Sequence, residues 1–466
     1  MSAVEIVGKL KRNDISPLDL LDALEARVAV VNPAINALPT LCFDRARTHA
    51  RKLMSQPVED RGILAGLPLP IKDLTEVAGV RTTHGSPIYK DNVPSHSDIV
   101  VETVEGQGGI VFAKSAVPEF GAGGNTFNEV FGATLNPWNT KLSVSGSSGG
   151  SAASLATGMA WVAHGNDMGG SLRNPASFCG VVGIRPSPGR VARNPGAMVD
   201  SLLGVDGPMA RTIADAALLL DAMSGENPSD PLSMPRLSTS FLDAAQTPRR
   251  PRRIAFSADL GITPVDPIVA EICRNAAEKL ARTGVDVVEA HPDLRESHEV
   301  FQILRAYQYA AAHGHKLRDF PQLLKPEMIW NVEKGQKLTA LEIIDAQAKR
   351  AQLIARTVEF FRDYDLLLTP ATIVAPFPVT ERYVSECAGH HFETYIDWLA
   401  IAYAITLTAA PCLSMPCGFT PDGRPVGLQL VARPKNEMGL LSNAAFIEAE
   451  LGAALKTPIL PRPSVP

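Results

Sequence analysis

The sequence predicts an α/β fold on a parallel or mixed sheet, and three stretches carry that prediction. Ile99 to Glu105 has helical spacing, Gly108-Gly109 supplies a turn, and Ile110 to Ala113 is a short apolar strand. The same rhythm returns as Ile254-Ala-Phe-Ser257, a helix from Pro267 to Thr283, and Val285-Asp-Val-Val-Glu289. Asp365-Leu-Leu-Leu-Thr-Pro370 then has the length and apolarity of a buried strand.

Taken in order, the chain opens on two helices. Apolar residues recur at helical spacing over Ala3 to Lys11 and Pro17 to Val30, and Ser16 before Pro17 is a helix start. Gly66-Leu-Pro-Leu-Pro-Ile-Lys72-Asp73 reads as a buried strand with a lysine where an apolar residue belongs. Residues 116–150 are rich in Gly, Asn and Ser and show little periodicity. A connection of that length in a compact fold is usually functional. Residues 225–252 are Pro-rich, end in a basic run, and read as a solvated surface connection. Helices fill 296–362.

Composition narrows the function classes. With 466 residues, 45% of them hydrophobic and 20% charged, the chain can form two or three domains or one large α/β unit. A formal net charge of -5 offers no basic footprint for nucleic acid or an anionic membrane. Neither a secretory h-region nor an apolar stretch of membrane-spanning length is present. The six cysteines form no CxxC pair, so they read as reduced thiols of a cytoplasmic protein.

The chemistry concentrates in Ser145-Gly-Ser147-Ser148-Gly-Gly-Ser151 and Gly165-Asn-Asp167-Met168-Gly169-Gly170-Ser171-Leu-Arg173. The first run lacks the Gly-Lys-Ser/Thr ending of a P-loop. Gly146-Ser-Ser148-Gly-Gly150 formally satisfies the G-x-S-x-G elbow, but that needs a preceding strand, and Asn136 to Val144 reads as a loop. In the second run, two glycines beside a serine let consecutive backbone N–H groups converge on a developing oxyanion. Ser171 then needs a base, either His164, which otherwise reads as a packing group, or Lys72.

Lys72 in a Pro-x-x-Lys-Asp strand, the Gly-Ser-Ser-Gly-Gly loop and the Gly-Gly-Ser-Leu-Arg run together resemble the amidase signature family of Ser-Ser-Lys amide hydrolases. The resemblance continues through Asn136-Pro-Trp138, Phe178-Cys-Gly180, Gly183-Ile-Arg-Pro186, Leu368-Thr-Pro370, and Pro416-Cys-Gly-Phe419 to Pro425-Val-Gly-Leu-Gln-Leu430. One departure is Val144-Ser145 where the family commonly has Pro-Gly.

The resemblance implies one large domain over 1–466, a mixed, twisted sheet covered by helices on both faces. Its parts would be a helical segment (1–60), a signature core (61–225), the Pro-rich surface connection (226–252) and the rest of the core with the pocket helices (253–466). It places the base at Lys72, a bridging serine held by a cis peptide at Ser147, and the nucleophile at Ser171. The oxyanion hole falls on the N–H groups of Met168, Gly169, Gly170 and Ser171. Ser148, Asp167 and Arg173 support the site, and Gly121 and Ala122 sit at the substrate. The pocket is expected from the loop Gly121 to Phe131, helices after Glu299, and the segment Tyr383 to Tyr403.

The lysine must be neutral to act. At an unperturbed pKa of about 10.4 only roughly one molecule in 2,500 is neutral at pH 7, so burial must lower it by about 3 units. Strand alternation should turn Asp73 away from Lys72. The expected reaction is hydrolysis of a small linear amide, with aryl or arylalkyl amides, anilides and carbamates as substrate candidates and water as co-substrate. The alternatives are a glutamine-hydrolysing component of an amidotransferase or a catalytically silent interaction protein on the same scaffold. No cofactor or metal is implied; His313-x-His315 lacks a third ligand, and His390-His391 reads as a solvated loop. A homodimer is the default assembly.

Overall fold

The computed structural model describes residues 1–194, 196, 198–199, 201–452 and 457–463. The helix Ala3–Lys11 is capped by Ser2, and Pro17–Ile35 by Ser16, each with a reciprocal acidic side chain three residues on. The second helix runs past Val30 to Ile35, stopping where Asn36 adopts a left-handed conformation at φ 51°.

Two sheets frame the site. In the smaller, Ile110–Ser115 is central, parallel to Pro68–Lys72 and antiparallel to Thr40–Leu41. The larger has eight strands in the order Asp286–Glu289, Arg253–Phe256, Leu366–Pro370, Pro425–Val431, Cys412–Phe419, Val182–Arg185, Val205–Ala210 and Val162–Asp167. The first three are mutually parallel and every later pairing is antiparallel, so the sheet is mixed. Strands from both sides of residues 226–252 share this sheet, so that Pro-rich stretch does not divide it.

Period-two alternation sends the strands' side chains into two separate cores. Leu366, Leu368, Leu428 and Leu430 pack with the helices Ile213–Met223, Pro267–Ala281 and Glu437–Leu451. Leu367 and Val431 point the other way, toward Ser297–Asp319, Ala340–Phe360 and Ala400–Leu407. Helices therefore cover both faces. A third core, with Phe112, Leu172 and the alanines of Gly149–Ala156, fills the space between the two sheets. Among the described residues no helix is long and apolar enough to cross a membrane.

One local expectation fails. Asn139–Ser143 is a strand, paired with Leu135–Asn136, although its sequence shows no apolar alternation. Side-chain bonds do the ordering: Asn136 Nδ2 donates to the carbonyls of Ser143 and Phe178. The strand ends before Val144 and joins no large-sheet strand, so Ser148 does not occupy a strand-to-helix elbow of the main sheet.

Candidate active site

Lys72 ends the Pro68–Lys72 strand, all five residues of which are buried. Its Nζ lies 2.7 Å from Ser147 Oγ, 2.8 Å from Ser148 Oγ and 2.6 Å from Asn166 Oδ1. Desolvation lowers its pKa to about 7, against the opposing pull of Asp167 and Asp206. The Asp73 carboxylate faces elsewhere, accepting from Thr83 Oγ1 at 2.5 Å with Lys114 Nζ at 3.4 Å. The Lys72 main chain is held too: its N–H donates to His164 Nδ1 at 3.3 Å, and His164 Nε2 lies 3.0 Å from Asp206. With Nδ1 accepting, the proton belongs on Nε2, directed at the carboxylate.

The serines arrive on a loop where main chains nearly touch. The Gly146–Ser147 peptide is cis. A side chain on Gly146 would place its Cβ 2.6 Å from the Gly123 carbonyl oxygen, so only glycine fits. Ser145, at the position of the family's usual glycine, takes a left-handed φ of 60°. Its N–H donates to Ser143 Oγ, its hydroxyl to the Gly124 carbonyl, and its carbonyl accepts from Thr126 Oγ1. Ser148 then precedes the helix Gly149–Ala156. From that helix Ser151 meets Ser115 Oγ at 2.7 Å and donates to the His164 carbonyl at 2.8 Å, linking the small sheet to the large one.

Asp167 ends the edge strand of the large sheet and organises the turn that follows. Its carboxylate accepts from the N–H groups of Gly170 and Leu172 and receives a two-pronged bond from Arg173. Arg185 Nη1 donates to its carbonyl. Burial alone would raise this carboxyl, but Arg173 and Arg185 outweigh it and hold it well below the usual carboxylate range. Arg173 also donates to the carbonyl of Ala402, to Gln429 and to Thr406. Gly170, at φ 114°, admits no Cβ, which would sit 2.7 Å from that of Ala402.

This bracing corrects one sequence expectation. The Gly170 N–H, expected in the oxyanion hole, is directed 2.9 Å to Asp167 Oδ1. Among the described residues the N–H groups of Met168, Gly169 and Ser171 make no protein hydrogen bond. The Ser171 carbonyl accepts from the Ser148 N–H at 3.2 Å. Ser171 Oγ itself bonds no described protein group, so the structure joins Lys72 to Ser147 but not Ser147 to Ser171.

Ser147 and Ser171 open on one cavity of about 390 Å³, shared with Gly121, Met168, Leu74, Phe120, Tyr309 and His313. Gly121 reaches it, and a Cβ there would lie 3.4 Å from Ser147 Oγ. The Ala122 side chain does not: it packs with Tyr309, Leu324, Met328 and Val332 in a separate apolar cluster. Nor does the segment Tyr383 to Tyr403 line the cavity. It supports the wall from behind, with Tyr403 stacked on Phe301 at 4.2 Å and both against Gly169. His390 and His391 are exposed on a small hairpin with Glu386–Cys387.

Sequence reasoning passed over Asn166, Asp206 and His84 and weighed His313 only as a metal ligand, and the fold brings all four near the site. A signal existed for Asn166. Once Val162–Asp167 is read as a strand, His164 and Asn166 fall on one face and Asp167 on the other.

Comparison with known proteins agrees with this architecture. The family profile described as Amidase matches residues 19–441. An acylamidase of Rhodococcus erythropolis is 34% identical over 98% of this chain and 97% of its own. The A component of the glutamyl-tRNA(Gln) amidotransferase of Prochlorococcus marinus (strain MIT 9303) is 32% identical over 96% and 97%. The crystal structure of a bacterial aryl acylamidase of the amidase signature family superposes with a TM-score of 0.90 at 25% identity, covering 98% of this chain and 97% of that one. With the family profile, the full-length relatives and the doubly covered mixed sheet in agreement, the chain belongs to the amidase signature family of amide hydrolases.

Proposed function

We propose that this amide hydrolase cleaves small acyl and aryl amides through an acyl-enzyme on Ser171, with neutral Lys72 as base and Ser147 as the proton bridge. The observation that carries the reading is the set of contacts around Lys72 Nζ. A neutral amine has two N–H donors and one lone pair. Asn166 Oδ1 can only accept, and Ser148, whose hydroxyl lies 3.2 Å from the Asn166 carbonyl and can donate to it, is free to accept from the amine. Those two partners use both donors. The lone pair is left for the Ser147 hydroxyl at 2.7 Å.

In this mechanism Ser147 gives its proton to Lys72 and takes one from Ser171 as Ser171 Oγ bonds to the amide carbon. The N–H groups of Met168, Gly169 and Ser171 receive the developing oxyanion. Collapse expels the amine, which takes the proton back through Ser147, and water then repeats the relay to release the acid. The relay requires Ser171 Oγ to meet Ser147 Oγ once substrate is bound, and both side chains line the same cavity. The aromatic wall of Phe120 and Tyr309 suits an aryl group, as does the likeness to an aryl acylamidase. Six free thiols suit a cytoplasmic setting.

Treatment with a fluorophosphonate and peptide mapping tests this directly. Labelling on Ser171 that is lost in Lys72→Met supports the relay, whereas labelling on Ser148 or at no serine overturns it. The likeness to a component of an amidotransferase favours a second reading, glutamine hydrolysis. Release of ammonia from glutamine faster than aniline from acetanilide would select it.

A further inference from the structure

The cavity holds two imidazoles in different circumstances. His84 is engaged, with Glu76 3.8 Å from its Nε2. His313, from the middle of Ser297–Asp319, lines both the serine cavity and an adjoining one of about 230 Å³. Its ring leans on Phe120 at 4.8 Å and Tyr309 at 5.4 Å, and Phe120, Met168 and Tyr309 border both cavities with it. Neither of its ring nitrogens has a hydrogen-bond partner among the described residues, and Nδ1 is fully buried without one.

An unpaired buried donor or acceptor is costly, and native proteins leave few of them without a functional reason. Burial, reinforced by the neighbouring charge of Lys316, lowers the His313 pKa to about 3, so at neutral pH the ring is uncharged. A neutral imidazole offers one N–H donor and one lone pair, and here neither has a partner among the described residues. Its ring contacts are aromatic, Phe120 and Tyr309, and Met168 borders the same cavity. Because Nδ1 is sealed off, Nε2 is the nitrogen a ligand in the cavity can reach, and what fits is a flat apolar body with one hydroxyl, which can pair with Nε2 as donor or as acceptor.

We propose that His313 is a specificity-determining residue that selects aryl amides bearing a hydroxyl on the ring, by hydrogen bonding to that hydroxyl. The assignment rests on the amide-hydrolase reading of the Ser147–Ser171 cavity. A ring methyl occupies the same space as a hydroxyl but leaves the imidazole unpaired, so the pair isolates the hydrogen bond. The discrimination expected from one neutral hydrogen bond in such a site is about tenfold in kcat/KM.

The test compares 4-hydroxyacetanilide with 4-methylacetanilide, and 4-hydroxyphenylacetamide with 4-methylphenylacetamide, in the full-length enzyme. In the wild type at least one pair should favour the hydroxyl member about tenfold in kcat/KM. In His313→Phe that ratio should fall to about one, while His313→Gln, which keeps a donor and an acceptor, should retain part of it. Melting temperature and fluorophosphonate labelling of Ser171 establish that each variant is folded. A wild-type ratio near one in both pairs, or a preference that survives His313→Phe, overturns the assignment while leaving the hydrolase reading standing. Failure to hydrolyse any amide, with no label on Ser171, overturns both together.

Discussion

Asn166 Oδ1 accepts from the Lys72 amine at 2.6 Å, and together with Ser148 Oγ this amide oxygen takes up the donors of a neutral lysine. Being neutral, it orients the amine without holding a proton on it. Replacement by a carboxylate changes only that. In Asn166→Asp the acid limb of kcat/KM should move upward by at least about 1 pH unit, because an anion at this distance favours the ammonium. A pH–rate profile measures it; an unmoved limb would mean that Lys72 is not the titrating base.

The wild-type profile has its own prediction. In the proposed relay Lys72 acts as base only when neutral, and burial lowers its pKa to about 7, so activity should rise through that region and level off above it. Lys72→Arg keeps the cation but never deprotonates, so both it and Lys72→Met should lose roughly 10²–10⁴-fold in kcat. Steady-state kinetics against acetanilide would show it.

Asp167 carries the charge of two buried arginines, Arg173 and Arg185. Asp167→Asn leaves both without a counter-ion and should destabilise the fold by about 3–5 kcal/mol. It also leaves only one side-chain oxygen for the Gly170 and Leu172 N–H groups and loosens the Met168 to Ser171 turn, so kcat should fall in whatever fraction remains folded. Urea denaturation and kinetics at low temperature separate the two effects.

Ser145 tests the departure from the family's glycine. Ser145→Ala keeps the left-handed backbone and removes the 3.2 Å bond to the Gly124 carbonyl, so it should cost about 1 kcal/mol. Ser145→Gly loses the same bond but relieves the Cβ clash, which is worth roughly 1–2 kcal/mol, and should be more stable than the alanine variant by about that amount. Denaturant midpoints of the two variants decide it; equal midpoints would mean that the backbone conformation carries no strain.

Some of this was legible in the sequence. Lysine at the end of an apolar strand announces a group forced toward neutrality, and Asp167 beside two glycines announces a braced turn. Both signals are local: burial of one residue, freedom of another. The cavity wall was not legible, because His84, Phe120 and His313 come from three elements whose helical or loop periodicity says nothing of which side chains meet. The Gly170 N–H was misassigned for a related reason. Counting donors along a turn cannot reveal that one is already taken by a side chain three residues back. The strand Asn139–Ser143 escaped notice because Asn136 side-chain bonds, rather than apolar alternation, hold it in place.

The order of strands in the large sheet also dictates how the chain can be made. Pro425–Val431 and Cys412–Phe419 are among the last strands synthesised, yet they lie at the centre, joining Leu366–Pro370 on one side to Val182–Arg185 on the other. Until they emerge, the strands that carry Asn166 and Asp167 and those of the parallel half have no common neighbour, and each presents an unpaired edge. Contacts this distant in sequence make folding slow and expose apolar edges on the ribosome. The nascent protein therefore completes its catalytic half only after its C-terminal strands are in hand, and truncations that stop short of Val431 should aggregate rather than fold.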